Sequence, residues 1–157
     1  VVGPDTTIVL VTDPGGELDA RVRLARIGFD TVAGALAEPV AAFLARPEVV
    51  ETSTRVTAAE LEDQLGTVTV VDVRNPGEVK LGMIDGARHL PVAELRARLG
   101  ELDPSARTVV YCAGGYRSIL ASSLLRSAGF TDVSDLLGGY GAWAAHVARD
   151  EVGADAP

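Results

Sequence analysis

The chain has 157 residues, 47% apolar and 23% charged, a balance that fits one soluble globular domain with or without an appendage. A formal charge of −8 argues against nucleic acid as a partner, since a phosphate-binding surface needs a basic patch. No apolar run reaches the ~18 residues of a membrane span and no leader opens the chain, so no membrane partner is expected and the expected location is cytoplasmic.

The opening VVGPDTTIVLV lacks an initiator Met and enters a strand-like run almost at once, as expected of a fragment or a processed chain. From Ile8, IVLVTDPGGELDARVRLARIGFDTVAGAL recurs as VVYCAGGYRSILASSLLRSAGFTDVSDLL from Val109, with Gly28-Phe29 falling on Gly129-Phe130. Both copies predict a β-branched strand, a turn, an amphipathic helix, Gly-Phe, and a short second strand ending at Val32 or Val133. Val11 stands where the second copy has Cys112, and Asp13, Pro14 and Gly16 replace Gly114, Gly115 and Arg117. The first copy therefore cannot perform the second copy's chemistry. Residues 1–51 read as the C-terminal remnant of an inactive unit plus a connector, with apolar faces around Val22, Leu24 and Ile27 that need cover from the second unit or another copy of the chain. Within this stretch, EPVAAFLARPEV predicts a short helix closed by Pro47, and EVVETSTR a connection.

Residues 52–148 form a complete unit by pattern. Thr57 heads TAAELEDQL, a capping box with Glu60 three residues on. The β-branched run Thr67–Val73 predicts a buried parallel strand. GARHLP predicts a short strand, VAELRARLGEL a helix, and RTVVYC the next buried strand. A helix over Arg117–Ala128 is ended by Gly129, and TDVSDL and GGYGAWAAHVA supply the last strand and helix. Strands alternating with helices imply an α/β fold with a central, mainly parallel sheet. Residues 149–157 are expected to be a flexible tail.

In such sheets ligands bind beyond the carboxyl ends of the strands, and Cys112 lies between a strand and a helix. A lone Cys is ordinarily a small buried hydrophobe, but the context here differs. Ala113, Gly114, Gly115 and Tyr116 let the backbone curl with its N–H groups inward, making an anion nest at a helix N-terminus. Arg117 adds positive charge, and Ser118 completes the loop. All of these favour thiolate over thiol, which makes Cys112 a candidate nucleophile. One Cys excludes an internal disulfide or a multi-cysteine zinc site, and no metal or other cofactor is expected.

Asp72-Val73-Arg74, Glu78, Gly82, Ile84, Gly86-Ala87, Cys112, Gly138-Gly139 and Trp143 together resemble the rhodanese domain over roughly Thr52 to Ala148. One departure is Met83, where many relatives have His. The resemblance implies a rhodanese-like fold and a sulfurtransferase in which Cys112 and Arg117 are catalytic. Residues 113–116 and Ser118 would then bind substrate. Relatives that hydrolyse phosphate esters carry a loop one residue longer, so Cys-x4-Arg makes phosphatase or arsenate reductase activity the weaker alternative. A second alternative is a non-catalytic interaction module with an inert Cys112.

Arg74 is open between attracting an anionic donor and a structural pairing. Asp72 reads first as one half of an ion pair with Arg74 or Arg117, and by resemblance as electrostatic support for the site. His89, His146, Tyr140 and Trp143 read as structural. The partners implied are a small anionic sulfur donor, such as thiosulfate or a low-molecular-weight persulfide, and a thiophilic acceptor. LARIGFDTVAGAL resembles the degenerate unit of proteins that fuse a metallo-β-lactamase-like hydrolase to two rhodanese units, which implies a further N-terminal metallo-hydrolase domain.

Overall fold

The computed structural model describes residues 2, 3 and 5–154, with side chains as far as residue 149. The chain divides into two compact units, one of residues 2–52 and one from residue 53 onward.

The first unit runs β1 (Ile8–Leu10), α1 (Glu17–Arg26), β2 (Val32–Ala35), α2 (Pro39–Ala45) and a 3₁₀ turn at Pro47–Val49. β1 and β2 pair in parallel, so α1 is a crossover helix. At its end the Gly28 N–H bonds the Ala25 carbonyl at 3.1 Å and the Phe29 N–H bonds the Leu24 carbonyl at 3.0 Å, the double closure of a Schellman motif. Among the described residues of this unit only Leu10 is a buried apolar side chain. Val22 is 40% and Ile27 71% exposed. Two strands and a crossover helix hold too little apolar surface to enclose a core of their own.

The second unit runs β3 (Thr54–Val56), α3 (Ala58–Glu62), β4 (Thr69–Asp72), α4 (Pro76–Val79), β5 (Arg88–His89), α5 (Val92–Leu95), a 3₁₀ stretch at Arg96–Glu101, β6 (Thr108–Tyr111), α6 (Tyr116–Ser127), β7 (Val133–Leu136) and α7 (Gly139–Ala154). The strands form one parallel sheet in the order β3-β7-β6-β4-β5. β6 is the middle strand, and all four of its residues are buried. Its β-branched run has no polar face because both faces are covered. Alternate residues divide between two core clusters: Val71 and Val110 join Leu125 and Phe130 on one face, and Val70 and Val109 join Leu61 and Leu136 on the other.

The internal repeat carries into three dimensions. Val9 lies opposite Gly34 in the first sheet, and Val110 lies opposite Asp135 in the second, the same register 101 residues on. The Gly129 N–H bonds the Arg126 carbonyl at 3.0 Å and the Phe130 N–H the Leu125 carbonyl at 3.2 Å, repeating the closure of α1.

Several local expectations are corrected. The second strand of each copy begins, rather than ends, at Val32 and Val133, because Gly-Phe completes the helix closure and two more residues are needed to turn into the sheet. Part of the expected connection EVVETSTR is the edge strand β3, whose backbone pairs with β7; three residues are too few to show a period. The expected helix from Val92 becomes 3₁₀ after Leu95, with Arg98 outside helical geometry. α2, as expected, is closed ahead of Pro47, ending at Ala45. The expected flexible tail is helical as far as Ala154, and residues 155–157 lie outside the described residues.

Leu125 is fully buried on α6 under the central strand. Leu125→Ala is expected to lower the unfolding free energy of the second unit by about 2–5 kcal/mol in denaturant titration.

Candidate active site

Cys112 directly follows β6, and its side chain is enclosed, with the residue 1% exposed. Gly115 caps α6 in the left-handed region at φ +111° and donates its N–H to Cys112 Sγ at 3.1 Å. A side chain at Gly115 would make that conformation costly. The Ser118 hydroxyl lies 3.8 Å from Sγ and donates to the Gly115 carbonyl at 2.8 Å, tying the first turn of α6 to the loop. Burial is the largest single influence on the thiol and pushes its pKa up. The Ser118, Gly115 and Gly114 N–H groups, with the Ser118 hydroxyl, outweigh it and leave Cys112 below the ordinary thiol value.

The start of the loop is held from its other side through two carbonyls. The Tyr140 N–H donates to the Cys112 carbonyl at 2.7 Å, and the Gly141 N–H to the Ala113 carbonyl at 3.2 Å. These are amides of the first turn of α7, which lack partners within their own helix. Gly139 has φ +59°, and a Cβ there would collide with the Cys112 carbonyl oxygen and the Ala113 peptide. Gly139 thus permits a close approach of one backbone to another, while a Cβ at Gly138 would meet the Ala142 side chain.

Arg117 extends from the first turn of α6 and makes a forked pair with Glu78, at 2.6 and 2.7 Å. Glu78 also accepts the Asn75 N–H at 3.1 Å, so one carboxylate caps α4 and aims the guanidinium. Arg117 lowers the Glu78 carboxyl most strongly, burial opposes it, and the Asn75 N–H helps, leaving it at about 2. Glu78 chiefly, against burial, raises the Arg117 guanidinium above its ordinary value, and the Cys112 sulfur adds to the rise. Arg117 is therefore held by its carboxylate, and the Cys112 sulfur is among the groups that favour its charge.

Arg74 is placed differently from an anion attractor. It is 3% exposed and donates through Nε to both Asp72 carboxylate oxygens at 3.0 Å, through Nη2 to Asp72 Oδ2 at 2.6 Å, and to the Gly82 carbonyl at 2.7 Å. Its guanidinium carbon lies 4.1 Å from the Tyr140 ring centroid and 5.5 Å from that of Tyr111. Asp72 is fully buried, and of its two expected partners it takes Arg74, not Arg117. A carboxylate with no water near it requires such a partner. The Tyr111 phenol, held protonated by burial, accepts the Ile84 N–H at 3.1 Å. This ion pair therefore braces the Gly82–Ile84 turn and α7 from beneath the site.

Ser118 is fully buried and supports the loop from below, whereas Tyr116 is 80% exposed at its rim. His89 Nε2 lies 2.8 Å from the Arg74 carbonyl, and His146 Nε2 2.8 Å from Glu62, outside the loop. Tyr140 and Trp143 pack against the second core cluster. Sequence reasoning placed Glu78 in a motif but missed its hold on Arg117; the spacing Asn75-Pro76-Gly77-Glu78, that of a helix start, was the available signal.

With one Cys in the chain, thiolate absorbance follows Cys112 alone once the Cys112→Ser spectrum is subtracted. Its titration midpoint is expected below the usual ~8.5, and Ser118→Ala is expected to raise it. The Glu78 carboxyl lies below its ordinary 4.5 in the folded chain, so its pairing stabilises the fold above that pH and is lost as pH falls towards 2. The gap in melting temperature between the native chain and Glu78→Gln should therefore be present at neutral pH and shrink across that window.

Comparison with known proteins agrees with this geometry. The family model described as Rhodanese-like domain matches residues 57–146, more than half of the chain. A sulfurtransferase of Allochromatium vinosum is 39% identical over 88 residues, covering 56% of this chain and 78% of that protein. Thiosulfate sulfurtransferase GlpE of Pseudomonas putida is also 39% identical over 88 residues, covering 56% and 79%. Among solved structures, the human single-domain sulfurtransferase TSTD1 superposes with a TM-score of 0.54 at 29% identity, covering 60% of this chain and 97% of that one. The family match spans β4 to β7, the Cys112 loop and the first half of α7, and by it the chain belongs to the rhodanese-like domain family.

Proposed function

We propose that the second unit is a sulfurtransferase that carries sulfane sulfur as a persulfide on Cys112. The observation that carries this reading is the inward-facing loop, with the Gly115 N–H 3.1 Å from Sγ. A cradle that favours a thiolate equally favours the terminal sulfur of a persulfide. The sulfurtransferase relatives support the same chemistry.

With thiosulfate, the Cys112 thiolate attacks the outer sulfur. A new S–S bond forms at Cys112, the donor's S–S bond breaks, and sulfite leaves with the bonding electron pair. With a protonated persulfide RSSH, the outer sulfur transfers with its proton and the thiolate RS⁻ leaves. A nucleophile such as cyanide, sulfite or a thiol then removes the sulfur and restores the thiolate. Arg117, aimed by Glu78, binds the anionic donor and offsets charge building on the leaving group. Enclosure of Cys112 favours donors that present a slender terminal sulfur atom. The chain has no second Cys, so the acceptor comes from outside it.

Val11 takes the place of Cys112 in the first unit, which is therefore read as the non-catalytic remnant of a degenerate copy. That reading suits a fusion in which a metallo-β-lactamase-like hydrolase precedes two rhodanese units, and an interaction role for residues 1–51.

Intact mass after incubation with thiosulfate should show a gain of one sulfur atom that a reductant removes. Cys112→Ser should abolish both the gain and the transfer of sulfur to cyanide; sulfur transfer by that variant would refute the assignment. Arg117→Ala should raise the KM for thiosulfate about tenfold, the usual scale for losing a charged hydrogen bond.

A further inference from the structure

The site has a second cation that the reaction so far leaves unused. Arg55 lies on β3, which the sheet order places on the β7 side of β6, whereas Glu78 and its hold on Arg117 lie on the β4 side. The two guanidiniums are thus held by carboxylates that follow from opposite halves of the strand order, Asp135 on β7 and Glu78 after β4. Arg55 Nη2 comes within 3.9 Å of the position a Gly115 Cβ would occupy, so it sits against the residue that donates to Sγ.

A carboxylate holds Arg55, as it does Arg117. Nε donates to Asp135 at 3.2 and 3.3 Å, and Nη2 at 3.1 Å. Asp135 is fully buried, while the Arg55 side chain is 42% exposed. A guanidinium has five N–H donors, more than these contacts take up. Edge position, partial exposure and a fixed fork beside the loop together describe a cation available to a ligand. Sulfur transfer itself needs one anion site, at Arg117. A second one beside the loop suits a ligand that carries charge away from its reacting sulfur.

We infer that Arg55 is a specificity-determining residue that binds a carboxylate carried by the small thiol exchanging sulfur with Cys112. This inference rests on the persulfide chemistry proposed above. In RSSH + Cys112–S⁻ ⇌ RS⁻ + Cys112–SSH the same thiol is donor in one direction and acceptor in the other, so a single contact serves both. No net oxidation occurs, and the proton stays on the transferred sulfur.

The test loads Cys112 with sulfur from thiosulfate, removes excess donor, and follows persulfide decay by intact mass. Two acceptors of similar size are compared, 3-mercaptopropionate, which carries a carboxylate, and neutral 2-mercaptoethanol. Arg55→Lys keeps a cation for Asp135, and the double variant Arg55→Gln/Asp135→Asn removes both charges without leaving a buried carboxylate unpaired. In each variant the ratio of the mercaptopropionate rate to the mercaptoethanol rate, measured at one thiolate concentration, should fall about fivefold. In the native chain that ratio should decline with added salt. An unchanged ratio in variants that still load sulfur overturns the role of Arg55 and leaves the sulfurtransferase reading intact. Failure of the native chain to load sulfur overturns both.

Discussion

The carbonyl groups of Cys112 and Ala113 are bound by the first amides of α7, and the direction of the whole loop follows from that contact. A peptide cannot turn its carbonyl one way without turning its N–H the other. Anchoring the Ala113 oxygen on α7 therefore turns the Gly114 N–H towards the sulfur, and the Gly115 N–H beyond it comes to 3.1 Å from Sγ. The approach is possible because Gly139 carries no side chain where one would meet the loop backbone. Two helix N-termini thus act on one short loop: α7 holds its carbonyls, and the start of α6 turns N–H groups towards the enclosed sulfur.

Around this loop lie three guanidinium–carboxylate pairs in different surroundings. Arg74 and Asp72 are both buried, so their charges cancel beneath the site and serve to brace the Gly82–Ile84 turn and Tyr140. Arg117 and Glu78 are each partly exposed, which leaves the guanidinium aimed yet open to a ligand. Arg55 is the most exposed of the three cations, although its partner Asp135 is fully buried. A buried pair costs much of its attraction in desolvation, whereas a fixed, part-exposed guanidinium keeps most of its capacity to bind an anion. Residue type alone does not separate these three roles; the depth of each pair does.

The two units place the same frame under different turns. The crossover helix and its glycine closure recur 101 residues apart with closing hydrogen bonds that agree to within a few tenths of an ångström, and the strand register coincides at Val9 and Val110 but is shifted by one residue at Ile8. The turn between first strand and helix has diverged, with Val11 at the position of Cys112. Packing constrains the frame, because its apolar residues and closing glycine set how the helix lies on the sheet. The turn carries none of that packing, and it is there that the two copies differ.

Much of the α/β order was legible in the sequence because its signals are local. Continuous β-branched runs mark buried strands, Gly129 marks a helix end, and Cys112 between a strand and a glycine-rich turn marks a candidate nucleophile before any contact is known. β3 was not legible, since its three residues form a strand only by pairing with β7, some 80 residues away. The partners of the cations were hidden for the same reason. Arg117 and Glu78 are 39 positions apart and Arg55 and Asp135 are 80 apart, and nothing in a linear spacing says which carboxylate a distant guanidinium will meet. The sequence by itself determined the strand–helix alternation, the internal repeat and the candidate nucleophile, all set by side-chain chemistry within a few residues. Only the tertiary structure decided that Arg74 is enclosed, that Glu78 aims Arg117, and that Arg55 stands beside the loop, because those depend on which strands the sheet makes neighbours.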